Sequence, residues 1–395
     1  MTPTKIPGDG APSAPNAPNA PNAPNEPSAP SLSEKDAVRA RCSRFLSHHH
    51  PHRGRPHQAL SEAAAAVPPG LDPDTYGEGE LIESFEREVA GLLGKEAAVF
   101  MPSGTMAQQI ALRIWADRTG RRSVAYHPTS HLEIHEERAL EHLHGIHSVL
   151  VGSPHRLITT ADLQRIREPI GSLLLELPQR EIGGQLPSWD DLLEATAWAR
   201  GAGARVHLDG ARLWEIKRFY QRSYAEIAGL FDSVYVSFYK GLGGIAGCGL
   251  AGPLDFIQES RVWRRRYGGT LVHLFPYVIA ARAAMAERLD KMDRYVDKAI
   301  AIGEHLARID GIEIVPSPPQ TNMMHVFLRG DKERLEAAAL TIARERGIWL
   351  FKALSPSSLP AYWKFELTVG DAALDISEAE IASTFQALLE GAKIA

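Results

Sequence analysis

The sequence predicts an α/β protein: a large domain with a mostly parallel central sheet, followed by a small α+β C-terminal domain. Three observations predict it. Short apolar runs ("AAVFM", "SVAYH", "SVLVG", "SLLLELP", "RVHLDGA" and "SVYVSFY") follow one another between Ala97 and Tyr239. Helical patterns or long connections separate most of them, the arrangement of parallel strands covered on both faces. Past a long helical region from about Phe275 to Arg308, the chain reads as strands "IEIVPS", "NMMHVFLRG", "IWLF" and "WKFELTVG" with the helices "DKERLEAAALTIARERG" and "SEAEIASTFQALLEG".

Residues 1–33 form a Pro-Asn-Ala repeat with almost no large apolar side chain. Such a segment cannot bury enough surface to offset ordering entropy, so a disordered, polyproline-like tail is expected. Residues 34–75 form an N-terminal arm. It opens on a helical pattern, "SEKDAVRARCSRFL", and continues into the histidine-rich "SHHHPHRGRPHQAL". The large domain is assigned to 76–285. Within it "ELIESFEREVAGLLG" has apolar residues at helical spacing and stops at Gly94. "SGTMAQQIALRIWADR" reads as a turn entering a helix. Residues 286–395 form the small domain.

The chain has 395 residues, 44% of them hydrophobic, enough for one large core and a smaller one. Net charge is −5 and no basic block is present, so nucleic acid is not an expected partner. No apolar run reaches the length of a membrane span, and none near the start resembles a secretion signal. The two cysteines, Cys42 and Cys248, cannot found a disulfide framework. A cytoplasmic protein is expected.

Three loops at strand ends are where such a sheet places its site. In "MPSGTMAQ", Ser103, Gly104 and Thr105 follow a strand and open a helix whose N–H groups can hold a phosphate. An ordinary helix cap explains the same residues. In "VHLDGARLWE", Asp209 ends an apolar strand, placed either to hold a cationic nitrogen or merely to cap the turn. In "SVYVSFYKGLGGIAGCGLAG", Lys240 ends a strand and six of the next twelve residues are glycines. Burial lowers a lysine's pKa and makes the amine a nucleophile toward carbonyls. The glycines would let a flat ligand approach the backbone. The competing reading is a snorkelling surface lysine. A phosphate cradle, a carboxylate for a ring nitrogen and a nucleophilic lysine are together the demands of pyridoxal 5'-phosphate.

From Tyr76 onward the chain closely resembles the threonine aldolase/β-eliminating lyase family of fold-type-I pyridoxal-phosphate enzymes. "FMPSGTMAQQIAL", "HLDGAR" and "SFYKGLGGIAGCGLAG" carry the resemblance, in the family's order. It implies Lys240 as the Schiff-base lysine and Asp209 as partner of the pyridine nitrogen, with Ser103, Gly104 and Thr105 around the phosphate. "HPTSHLEIHEE" is similar to the segment whose histidine stacks on the cofactor ring, which points to His131. Arg212 resembles an arginine that reaches the cofactor's phenolic oxygen or the substrate carboxylate. "RRRYGGT" resembles a loop whose cation reaches a phosphate across a subunit interface. By that likeness Arg265 is the candidate, with Arg264 and Arg266 as rivals. Tyr76 and Gln179 join Arg212 on the substrate side. The resemblance also implies a homodimer or homotetramer with shared active sites and an amino-acid substrate, while the apolar pattern gives no membrane partner.

His131 and His135 with Glu136 allow a metal pair at helical spacing. No HExxH order or third ligand accompanies them, so no metal is assigned. Three departures fall on substrate groups. The family's Arg-Ser-Asp-Thr motif is replaced by "HHHPHRGRPHQ". Its Glu-Asn-Thr-His segment reads "ELPQREIGG", where Glu176 matches but Gln179 stands for the histidine. Near the C-terminus Phe365 falls at the family's carboxylate-binding arginine, and Lys364 is the nearest cation. Gln cannot accept a proton near neutral pH. The base then has to be His131, a histidine of the His48–His52 run, or water. The resemblance implies a carbon–carbon lyase that cleaves a β-hydroxy-α-amino acid to glycine and an aldehyde. A β-eliminating lyase, an amino-acid racemase and a non-catalytic cofactor-binding relative are the alternatives.

Overall fold

The computed structural model describes residues 33–49, 55–67 and 69–394. The tail up to Leu32, and His50 to Gly54 of the histidine-rich loop, lie outside the described residues.

Seven strands form the central sheet: β1 (Ala97–Met101), β2 (Ser123–Tyr126), β3 (His147–Leu150), β4 (Ser172–Glu176), β5 (Arg205–Gly210), β6 (Ser233–Ser237) and β7 (Cys248–Gly252). Their spatial order is β1-β7-β6-β5-β4-β2-β3. Strands β2 to β6 run parallel, and β7 runs antiparallel to both β1 and β6. Every strand except β7 therefore points the same way. Met101, Glu176, Asp209 and Ser237 come out along one edge.

The apolar runs were legible as strands because a sheet covered on both faces needs no polar alternation. β5, β6 and β7 are buried almost throughout. Helix α1 (Glu80–Leu93) lays Leu81, Ile82, Phe85, Val89 and Leu93 inward and stops at Gly94, whose left-handed φ of 60° suits only a residue without Cβ strain. Phe85 meets Phe238 at 5.0 Å and Phe100 at 6.2 Å between ring centroids. Each such buried ring contributes about 1.5–3 kcal/mol. Helix α2 (Gly104–Thr119) covers the other face, packing Ile110, Ile114 and Trp115 against Val99, Tyr235 and Leu250.

The helical region after Leu274 is two helices, α3 (Phe275–Arg288) and α4 (Met292–Leu306), joined by a single 3-10 turn at Leu289–Lys291. Beyond them an antiparallel sheet runs in the order Ser355–Pro356, Tyr362–Thr368, Met323–Arg329, Ile312–Val315. The N-terminal arm is pinned to this region. Arg44–Phe45 pairs with Ile348–Trp349, and the His48 N–H donates to the Thr368 carbonyl at 2.6 Å. This carries His48 and His49 to the edge where the central strands end. Among the described residues no helix is long and apolar enough to cross a membrane.

Candidate active site

Three strand ends and a helix start enclose one cavity of about 270 Å³. Ser103, Gly104 and Thr105 line one side, Asp209 and Lys240 another, and His131 and Glu136 a third. The chain leaves β1 through Pro102 and enters α2 at the cap residue Ser103, whose side chain caps no backbone N–H. The first-turn N–H groups, with their share of the helix dipole, are thus left for a ligand. Gly104 is required here: a Cβ would sit 2.1 Å from the Tyr235 hydroxyl. Gln108, one turn on, also lines the cavity, and its buried Nε2 has no partner among the described residues.

Asp209 is only 2% exposed and accepts from the Ala211 N–H at 3.1 Å. Burial raises its pKa, and the Lys240 charge opposes that rise. Lys240 is half-buried, and desolvation lowers its pKa while Asp209 pulls the other way. An amine of lowered pKa beside a buried carboxylate is the arrangement a nucleophilic lysine needs. Glu176 ends β4 in register with Asp209. Burial, then the Asp209 charge, pushes it up to about 7.

His131 begins a one-turn helix, His131–Ile134. Its Nδ1 lies 3.0 Å from Glu136 Oε1, and Gln109 donates to the other Glu136 oxygen at 2.8 Å. A carboxylate only accepts, so Nδ1 carries the proton and Nε2 keeps its lone pair. The bond to Glu136 raises the His131 pKa. Sequence reading named Glu136 only as a metal partner; its role against His131 was missed. Among the described residues no three His, Cys, Asp or Glu side chains gather as metal ligands.

Other expected residues stand elsewhere. Gln179 is 3% exposed and donates to Glu176 at 3.2 Å and to Thr129 at 3.4 Å. It lines a separate cavity of about 30 Å³, not the large one. Tyr76 is 55% exposed at a turn, its N–H bonded to the Val272 carbonyl, and it too is off the cavity wall. Arg265 is at the surface. Its rivals are engaged: Arg264 donates to the Phe100 carbonyl at 2.8 Å, and Arg266 stacks on Trp263 at 4.5 Å. Arg212 is buried beside the cavity between Glu215 and Glu366. Phe365 packs into the C-terminal core against Phe351 and Phe385. Its neighbour Glu366 is the side chain that reaches Arg212 and, at 2.8 Å, Arg180. Neither Arg180 nor Glu366 was singled out from sequence. The "QR" replacing the family's pattern, and one acidic residue inside an apolar strand, were the available signals.

The histidine arm packs against the glycine segment after Lys240. Burial pushes His48 down to about 3, so it is neutral, and its charged neighbours include Arg212 and Glu366. His49 Nε2 sits 3.0 Å from the Gly241 carbonyl, and Nδ1 is 3.4 Å from Asp371. The glycines after Lys240 are needed for packing. A Cβ on Gly241 would meet Glu215 at 2.4 Å, on Gly243 His49 at 2.7 Å, and on Gly247 Phe100 at 2.1 Å. Gly249 and Gly252 belong to β7, a strand the glycines concealed.

An uncapped helix N-terminus, a glycine cradle, a buried carboxylate and a lysine of lowered pKa around one cavity fit a phosphate-bearing aromatic aldehyde. Known proteins resemble this chain. A family model described as beta-eliminating lyase matches residues 53–330. Low-specificity L-threonine aldolase 1 of Arabidopsis thaliana is 29% identical over 314 residues, covering 76% of this chain and 86% of that protein. The low specificity L-threonine aldolase of Escherichia coli K12 is 29% identical over 298 residues, covering 72% and 84%. A solved structure provisionally assigned as an L-allo-threonine aldolase, from Listeria monocytogenes EGD-E, is 44% identical with a TM-score of 0.86. It covers 90% of this chain and 98% of its own.

Proposed function

The chain belongs to the beta-eliminating lyase family, and from that premise we propose that it is a pyridoxal-phosphate-dependent carbon–carbon lyase. It cleaves a β-hydroxy-α-amino acid such as threonine to glycine and an aldehyde. The observation that carries this reading is the convergence of Lys240, Asp209 and the α2 N-terminus on one cavity that also holds the His131–Glu136 pair.

Lys240 would tether the cofactor, Asp209 would hold its ring nitrogen, and the Ser103-Gly104-Thr105 turn would hold its phosphate. When bound, the cofactor supplies an electron sink for the bond broken at the substrate α-carbon. His131 takes the β-hydroxyl proton at Nε2, because Glu136 fixes the proton on Nδ1 and stabilises the imidazolium that forms. Gln179 has no such part: it is neutral and turned toward Glu176 and Thr129. His48, held neutral by burial near Arg212, is not on the wall of this cavity.

The same proposal makes the protein a cytoplasmic homodimer or homotetramer with shared active sites. The exposure of Tyr76 and Arg265 supports it, since both would then work on a neighbour's cavity. Purified protein given glycine and a panel of aldehydes tests the reaction directly. A β-hydroxy amino acid is the expected product. Pyruvate and ammonia from serine, with no aldol product, would instead establish β-elimination.

A further inference from the structure

Two guanidinium groups near the lysine share one carboxylate. Glu366 Oε1 lies 3.3 Å from Arg212 Nη2, and Oε2 lies 2.8 Å from Arg180 Nε. Arg212 is also fixed by Glu215 at 3.3 Å, and its buried Nε has no acceptor among the described residues. Glu366 thus bridges the arginines with one oxygen each, as a bound carboxylate ligand does. The pairing with Arg212 and Arg180 outweighs burial and holds Glu366 below the usual carboxylate range.

Given the amino-acid reading above, the substrate amine would take the place of the Lys240 amine on the cofactor, and the α-carboxylate lies two bonds from that amine. It needs a cation there. Both Arg212 and Arg180 act on the charge of Lys240. His48 and His325 are neutral, pushed by burial down to about 3 and about 4. Arg212 and Arg180 are therefore the carboxylate's partners, yet Glu366 already occupies them.

We infer that Glu366 is an internal stand-in for the substrate carboxylate. It fills the Arg180–Arg212 subsite until an amino acid arrives, and the incoming carboxylate displaces it from Arg180. Exposure decides which arginine exchanges. The Arg180 and Glu366 side chains are 37% and 23% exposed and can separate into water, whereas Arg212, at 9%, keeps Glu215. Thr368 Oγ1 already donates to Glu366 at 3.3 Å and can retain it on the same strand.

The test uses cofactor-loaded wild type, Glu366→Gln, Arg180→Ala and Arg180→Lys. Glycine and methylamine are titrated by calorimetry and by the cofactor's visible absorption. Methylamine has the amine without the carboxylate. Arg180→Ala should weaken glycine binding roughly 10–100-fold, the worth of a charge-assisted bond. Methylamine binding should not change, and Arg180→Lys should fall between. Glu366→Gln should bind glycine several-fold more tightly than wild type, because its internal competitor is gone. If Glu366→Gln weakens glycine as Arg180→Ala does, Glu366 only positions the arginines and the inference is overturned. If wild type binds glycine and Arg180→Ala binds it equally, this inference fails alone. Wild type that takes neither amine overturns the amino-acid reading as well.

Discussion

Glu176 and Asp209 stand side by side at the ends of β4 and β5, in register, two carboxylates whose charges both act on Lys240. Adjacent buried carboxylates do not both ionise cheaply. Burial raises both, Glu176 to about 7, and the Lys240 charge opposes the rise at each. When ionised, Glu176 favours the Lys240 ammonium form. Glu176→Gln should therefore lower the Lys240 pKa further. Cofactor uptake by stripped protein needs the neutral amine, so its pH profile should move to lower pH, by about one unit or less. A shift upward would contradict the charge assignment.

Lys240 and Asp209 separate into two phenotypes. Lys240→Ala removes the tether, so the visible absorption of the loaded protein should vanish. Asp209→Asn keeps the shape but cannot hold a proton on the ring nitrogen. It should keep absorption while losing turnover by about 10²-fold or more. Absorption spectra of both variants, set beside single-turnover rates, check this. An Asp209→Asn variant with full turnover would remove Asp209 from the mechanism.

His131 and Glu136 make a pH prediction. A base must be neutral, so activity falls as pH drops through the His131 pKa, which Glu136 raises. Glu136→Gln should shift the acid limb of kcat/KM to lower pH. His131→Asn should cost about 10²–10⁴-fold, the range for a general base. An unmoved acid limb in Glu136→Gln would assign that limb to another group.

Local patterns carried the fold and half of the candidate site. Lys240 and Asp209 each end an apolar strand, and the turn into α2 follows β1 directly, so neighbours in sequence disclosed them. β7 did not read as a strand because Gly249 and Gly252 lack the side chains that advertise one, although Val89 and Phe256 pack against them. The Arg180–Glu366 bridge joins a loop after β4 to the C-terminal sheet, and a charge pair across such a distance leaves no periodicity. Gln179 was placed by position in a motif, but its amide bonds to Glu176 and Thr129 turned it aside.

Gly104 tests whether the cradle holds the phosphate. A Cβ there would meet the Tyr235 hydroxyl at 2.1 Å and its ring carbon at 2.7 Å. Gly104→Ala should thus push the α2 N-terminus out of place. Cofactor affinity should drop at least tenfold, about 1.4 kcal/mol, by equilibrium dialysis. Adding Tyr235→Phe removes the nearest atom and should restore part of that loss. No recovery would locate the obstruction in the ring rather than the hydroxyl.

A buried histidine behind the cavity wall also sets an acid limit on stability. His207 lies on β5 two residues before Asp209, fully buried. Its Nδ1 is 2.7 Å from Ser233 Oγ, and its Nε2 is 2.6 Å from Gln108 Oε1. Ser233 accepts from the Trp115 indole N–H at 2.7 Å, so its own proton can go to Nδ1 and Nε2–H can donate to Gln108. That bond holds the Gln108 amide at the cavity wall. Burial pushes His207 down to about 3, against about 6.5 unfolded. Above pH 6.5 neither state binds the proton, and this contribution is complete. Between pH 6.5 and 3 only the unfolded chain binds it, so stability falls as pH falls, by up to about 1.4 kcal/mol per unit. His48 adds a slope of the same sign. Urea unfolding of wild type and His207→Gln from pH 4 to 7 should show the variant less stable at pH 7 but flatter below 6.5. A variant with the wild-type slope would place the titrating group elsewhere.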